Sequence, residues 1–161
     1  MDLLQFAIDM ELDGEKYYRG QAEKNAANPL GVVFQLLADD EAKHAQLLRN
    51  LAKGDASAYQ GQIASPPEGN PFQHASEAVK AAKPLPEQAE LYQIAIEMEH
   101  KSVDLYTRMH AETEDAATTA LFHFLIQEEN RHRDLMEELY QHVNRPNNWV
   151  ESAEFGVREE Y

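Results

Sequence analysis

Apolar residues recur along four stretches of this chain at the three-to-four spacing of an amphipathic helix. The first covers 3–26, where Leu4, Ala7, Ile8, Leu12, Tyr18 and Ala22 share a face and no proline intervenes. Asn25-Ala26-Ala27-Asn28-Pro29 supplies turn residues, and the period resumes over 30–53 through Phe34, Leu37, Leu47, Leu48 and Leu51 until Lys53-Gly54. It returns over 87–113 with Leu91, Ala95, Met98, Val103, Leu105, Tyr106 and Met109. A fourth stretch, 117–142, carries Leu121, Phe124, Leu125, Leu135 and Leu139. Between the halves, Gly54, Gly61, Gly69, Pro66, Pro67, Pro71, Pro84 and Pro86 break any long element, so 54–86 reads as a linker. Within it, Asn70-Pro71 predicts a capped short helix through Lys83. After Val143 the run Asn144-Arg145-Pro146-Asn147-Asn148-Trp149 predicts a turn away from helix, leaving 143–161 as a docked tail.

Two short turns and one long middle connection describe an all-α four-helix bundle. The first helix pairs antiparallel with the second and the third with the fourth, and the linker crosses the full length. No stretch has the alternation of a strand. A chain of 161 residues fits one domain with a sizeable core and leaves little room for another.

The stripe of the second helix contains two residues that packing does not explain. Phe34, Leu37, Glu41, His44, Leu48 and Leu51 share the core-facing side, so a carboxylate and an imidazole stand where a bundle places leucines. The fourth helix repeats this with Phe122, Leu125, Glu129, His132, Met136 and Leu139. An unpaired buried carboxylate costs several kcal/mol or escapes by protonation, whereas a divalent cation neutralises it.

A single offset of 88 residues relates the two halves. It superposes Ala7-Ile8-Asp9-Met10-Glu11 on Ala95-Ile96-Glu97-Met98-Glu99, and carries Tyr18 to Tyr106, Glu41 to Glu129 and His44 to His132. Glu11 to Glu41 and Glu99 to Glu129 are both 30 residues, with midpoints at the two turns. At 1.5 Å per residue each second glutamate returns to the height of the first, roughly 20 Å below its loop. Glu11, Glu41, His44, Glu99, Glu129 and His132 therefore meet in one layer. Glu97 with His100 has the same spacing as the two Glu–His pairs but is a decoy, because Glu97 sits about 200° around the helix from Glu99.

Four carboxylates and two imidazoles suit iron, manganese or zinc, and bridging carboxylates are typical of a metal pair. Tyr18 and Tyr106, seven residues past Glu11 and Glu99 on the same face, are placed to hydrogen-bond ligand carboxylates or intercept oxidising equivalents, a plain core role being the alternative. Glu15, one turn beyond Glu11, is placed to add a carboxylate. Gly14 offers close packing or substrate access, a merely tolerated helix glycine being the alternative. His74, His100, His110, His123 and His142 lack the repeat partner or the inward phase and receive no role.

At these residues, over 3–142, the chain resembles the rubrerythrin family of the ferritin-like superfamily. That resemblance implies a ferritin-like fold and two iron ions per chain, with manganese or zinc as alternatives. It implies peroxidase or oxidase chemistry in oxidative-stress defence, with hydrogen peroxide or dioxygen as substrate. Glu11 and Glu99 would be ligands from the first and third helices, Glu41 and Glu129 the bridging carboxylates, and His44 and His132 the terminal nitrogens. Two features depart from the pattern. There is no cysteine, so no rubredoxin-type iron site is present in this chain and electrons would come from a separate protein. Ser102 stands where rubrerythrins tend to carry a second glutamate of the third helix, which puts the associated ligand switch in doubt.

Composition narrows the partners. With 29 acidic residues against 14 Lys plus Arg, the net charge of -15 repels nucleic acid, and the charge excess on the second and fourth helices reads as a solvated face. An acid at position 2 and the lack of a long apolar run predict neither signal peptide nor membrane span, so the expected compartment is the cytoplasm. The resemblance suggests a homodimer. Ferritin-like iron storage and a redox-silent metal bundle remain the alternative functions.

Overall fold

The computed structural model describes residues 2–55 and 88–154, with side chains as far as residue 144. It contains helices α1 (Leu3–Lys24), α2 (Leu30–Ala52), α3 (Ala89–Glu112) and α4 (Ala116–Glu154), with no strand among the described residues. The expected linker beyond residue 55, its short helix from Asn70 to Lys83, and His74 lie outside the described residues. None of the described helices is long and apolar enough to cross a membrane.

The helix ends follow from their caps. Asp2 accepts from the Leu4 amide at 3.1 Å and starts α1, and Asn28 accepts from the Leu30 amide at 3.2 Å to start α2. Asp115 accepts from both the amide and the hydroxyl of Thr118, at 2.8 and 2.7 Å, and starts α4. Gly54, at φ 71°, closes α2: its amide reaches the Leu51 carbonyl at 3.0 Å, while the Asp55 amide reaches that of Asn50 at 3.1 Å. This pair of bonds is the Schellman closure, which a residue with a Cβ would strain.

The fourth helix differs from expectation at its C-terminal end. It does not leave helical conformation after Val143 but continues to Glu154, passing through Pro146. A proline removes one backbone hydrogen bond, yet its fixed φ is helical, so a helix already propagating can pass it.

α1 packs closely along α2, and α3 along α4, while the two pairs approach one another less closely. Two apolar clusters fill the bundle. One contains Tyr18, Phe34, Leu37, Ala95, Leu135 and Met136, and the other Tyr106, Phe122, Leu125, Ala7, Leu47 and Leu48. These are the same positions exchanged by the 88-residue offset, so the internal repeat is a pseudo-two-fold that swaps the two ends of the core. Each fully buried leucine or phenylalanine contributes about 1.5–3 kcal/mol.

The α1–α2 turn is tied to the second half through Asn25. Its side-chain amide donates to the Gln21 carbonyl at 2.8 Å, and its oxygen accepts from Gln88, beside the start of α3, at 2.9 Å. Gly31 packs directly against this turn: a Cβ there would lie 2.5 Å from the Asn25 carbonyl oxygen. Gly31→Ala should therefore destabilise the chain by about 1–3 kcal/mol, the usual cost of overpacking. Gly20, with nothing within 4 Å of its ideal Cβ, gives the opposite sign. Gly20→Ala should stabilise by about 0.5–1 kcal/mol through helix propensity. Thermal unfolding followed by circular dichroism checks both, and a Gly31→Ala midpoint at or above wild type contradicts the packing argument.

Candidate metal centre

Glu11 on α1, Glu41 and His44 on α2, Glu99 on α3, and Glu129 and His132 on α4 lie in one layer between the two apolar clusters. None is more than 4% exposed. The three-residue spacing within α2 and within α4 puts each Glu–His pair on adjacent turns of the inward face. Antiparallel packing brings the remaining two carboxylates to the same height.

The geometry repeats the two-fold. Nδ1 of His44 lies 2.8 Å from Glu129, 3.5 Å from Glu11 and 3.9 Å from Glu41. Nδ1 of His132 lies 3.0 Å from Glu41, 3.7 Å from Glu99 and 3.8 Å from Glu129. The imidazoles stack with centroids 5.6 Å apart and planes inclined at 17°.

Ligand atoms of Glu11, Glu41, His44 and Glu129 lie within 4.8 Å of one another, and so do those of Glu41, Glu99, Glu129 and His132. The two groups share Glu41 and Glu129. Several of these atoms lack a hydrogen-bond partner: Oε2 of Glu11, Nδ1 of His44 and both carboxylate oxygens of Glu129. His44 and Glu129 are close enough for an ion pair without the alignment of a hydrogen bond. Buried polar atoms left in this state are costly, and a cation among them would give each a partner. The donor set fits a metal of the iron, manganese or zinc type.

The titration behaviour reflects the same crowding. Burial, then the charges of Glu129 and Glu11, pushes the Glu41 carboxyl well above the usual carboxylate range. Burial and Glu129 do the same to Glu99, and burial and Glu11 raise Glu129. Burial would raise Glu11 too, but its close contacts with Glu41 and His44, together with the His44 charge and the Tyr106 hydroxyl, hold it low. Burial disfavours a charged His44, yet Glu129 and Glu11 hold its pKa well above the ordinary imidazole value.

Both tyrosines reach across the repeat. Tyr18 donates to Oε1 of Glu99 and Tyr106 to Oε1 of Glu11, so each half positions the other half's carboxylate. Burial and the neighbouring carboxylates push both phenols well above their ordinary value. Glu15 does not join the cluster: Arg19 holds it in a 2.7 Å ion pair, one turn along the helix surface. Glu97 and His100 are exposed, as their phase on the helix requires, and His110 and His123 pair loosely with each other at 6.4 Å.

Asp40, which the helical stripe does not single out, stands behind His132. Nε2 of His132 lies 3.4 Å from its carboxylate, leaving Nδ1 to face the cluster. Burial would raise the Asp40 pKa, but the contact with His132 and the charge of His44 bring it below the ordinary value. Its repeat mate Glu128 pairs with Arg131 and is only 8% exposed. Asp40, Glu128 and His132 form a third close group. The charge excess of α2 and α4 is thus not wholly a solvated face. The usable signal was the offset itself, which carries Asp40 onto another acid immediately before the second Glu–His pair.

A cavity of about 580 Å³ opens between α1 and α3 and reaches Glu41, Glu99 and Tyr18. Gly14 and Ser102, also related by the offset, line it. A Cβ at Gly14 would lie 3.4 Å from the Glu41 carboxylate. The Ser102 hydroxyl turns back to the Met98 carbonyl at 3.2 Å and lies 3.6 Å from the Met10 sulfur.

The family model for rubrerythrin matches residues 2–140, which takes in all six clustered residues, both tyrosines and Asp40. Comparisons with curated proteins and with solved structures returned no match. The match covers most of the chain, and the paired Glu–His layer inside a four-helix bundle agrees with it: the chain belongs to the rubrerythrin family of the ferritin-like di-iron superfamily.

Proposed function

We propose that this chain is an oxidoreductase that binds two iron ions and reduces hydrogen peroxide or dioxygen, serving in defence against oxidative stress. The observation that supports it best is the sharing of Glu41 and Glu129 between two otherwise separate groups of ligand atoms. Shared carboxylates are suited to bridging, which leaves each ion with one further glutamate and one histidine: Glu11 and His44, or Glu99 and His132. Bound ferrous iron would supply the electrons and the positions at which oxygen binds.

The chain's own residues supply the rest. Tyr18 and Tyr106 hold Glu99 and Glu11 by their hydroxyls and offer protons beside the site. Asp40 fixes the ring of His132 so that Nδ1 faces the carboxylates of Glu41, Glu99 and Glu129. The apolar clusters above and below the layer shield it from water on those two sides and strengthen the interactions inside it. Ser102 offers no carboxylate, so the ligand set is confined to the six residues and an exchange of ligands on α3 is not part of the proposed reaction. Electrons would come from a separate donor protein. We place the protein in the cytoplasm, working as a homodimer, with no role for nucleic acid or membrane.

Anaerobic titration with ferrous iron should reach two ions per chain, and hydrogen peroxide or dioxygen should oxidise them faster than free ferrous iron. Failure on either count removes the enzymatic reading. A large cage in native mass spectrometry would favour storage instead. Glu41→Ala and Glu129→Ala should each weaken iron binding by more than about 100-fold while helical content stays near wild type. Asp40→Ala should cost about 10–100-fold in affinity, the usual effect of removing a carboxylate behind a histidine ligand. The double substitution Glu97→Ala with His100→Ala should change neither binding nor oxidation.

Stability of the metal-free chain should fall as pH rises. Glu41, Glu99 and Glu129 hold protons more tightly folded than unfolded, so what they contribute is full below their ordinary value of 4.5 and is lost as pH climbs through the raised values. His44 acts in the same direction above 6.5. Glu11 and Asp40 act oppositely, but only below 4.5 and 3.8. The thermal midpoint without metal should therefore drop between about pH 6 and about pH 8, and loading with iron or zinc should flatten that slope. A metal-free midpoint that rises over this range contradicts the assignment.

A further inference from the structure

The cavity between α1 and α3 is larger than hydrogen peroxide needs. Its volume of about 580 Å³ falls among pockets that enclose organic molecules. Its walls are mainly apolar, with Phe6, Met10, Met98 and Leu105 contributing, and its inner end is the carboxylates of Glu41 and Glu99 beside the Tyr18 hydroxyl. A guest filling it would have an apolar body and a polar end directed at the cluster.

Two positions keep the space open. Gly14 has no side chain, and the Ser102 hydroxyl is folded back onto its own helix. Methionines 10 and 98 add adaptable walls, since a thioether side chain repacks easily around different shapes. Phe6 is 46% exposed, leaving a large ring in water beside the opening. The charged residues lining the cavity have both signs: Asp9, Asp13 and Asp104 against Lys101 and Arg108. Against a net charge of -15, such a mixture favours a neutral guest over an anionic one.

We propose that this cavity binds neutral organic hydroperoxides, the alkyl or aryl group against Met10, Met98 and Leu105 and the hydroperoxide directed at the Glu41–Glu99 end. The inference rests on the peroxide-reducing reading above and names the substrate class of that site. In the reaction the O–O bond of ROOH breaks. The two electrons would come from two bound ferrous ions, each oxidised to ferric, and with two protons they would complete one alcohol and one water.

Cumyl alcohol, the alcohol that reduction of cumene hydroperoxide yields, carries no O–O bond and so probes binding without turnover. Added to the full metal-free chain, it should shift the methyl resonances of Met10 and Met98 selectively and saturably. Ser102→Phe, which fills the space, should weaken that binding about tenfold or more, with circular dichroism reporting that the bundle is intact. In the iron-loaded protein, the ratio of single-turnover rates for cumene hydroperoxide over hydrogen peroxide should fall about tenfold in the same variant. Shifts that do not saturate, or that scatter over the surface of the wild type, overturn the proposal whether or not the variant folds. If hydrogen peroxide oxidises the iron but cumene hydroperoxide neither binds nor reacts, the cavity assignment fails and the proposed function stands. If neither peroxide oxidises bound iron, the peroxide-reducing reading on which the inference rests has failed, and the inference with it.

Discussion

Everything in this bundle is arranged around one unfavourable arrangement, four carboxylates and two imidazoles buried in a single layer. Packing alone would replace them with leucine, as in the rest of the stripes of α2 and α4. Burial first, and then repulsion among the carboxylates, raises the pKa values of Glu41, Glu99 and Glu129, and both carboxylate oxygens of Glu129 lack a hydrogen-bond partner. The apolar clusters on either side hold the layer together. They also shield it from water above and below, which makes the arrangement costly without cations and strong with them.

The pseudo-two-fold explains how so few kinds of residue build the site. Because the first and third helices run antiparallel, Tyr18 meets Glu99 and Tyr106 meets Glu11, so neither half completes its own ligand shell. The same exchange sends His44 to Glu129 and His132 to Glu41. A half-chain would leave every one of these partners missing, which couples the closure of the bundle to the formation of the site.

The four helices and the six clustered residues were legible because both depend on periodicity, and periodicity survives in a bare sequence. The anomaly of Glu41 and His44 in an apolar stripe, repeated 88 residues on, needed no coordinates. The decoy pair Glu97 and His100 was excluded by phase alone and is exposed. What sequence could not reveal were interactions set by side-chain direction. Glu15 has the right turn of the helix, but Arg19 four residues on captures it. Asp40 looks like one more surface acid until α4 brings His132 against it. Pro146 reads as a stop, whereas the backbone of α4 passes it.

The departures from two-fold symmetry bear most directly on chemistry. His132 has Asp40 behind its Nε2, whereas His44 meets the edge of the Phe124 ring, 6.3 Å away between centroids. A carboxylate behind an imidazole fixes the orientation of the ring, and a phenyl edge does not. The cavity also opens on one side, reaching Glu41 and Glu99 together with Tyr18. Those two carboxylates belong to the same group as His132. The cavity therefore reaches the group whose histidine is oriented by an acid, so two groups built from repeated residues have unequal surroundings.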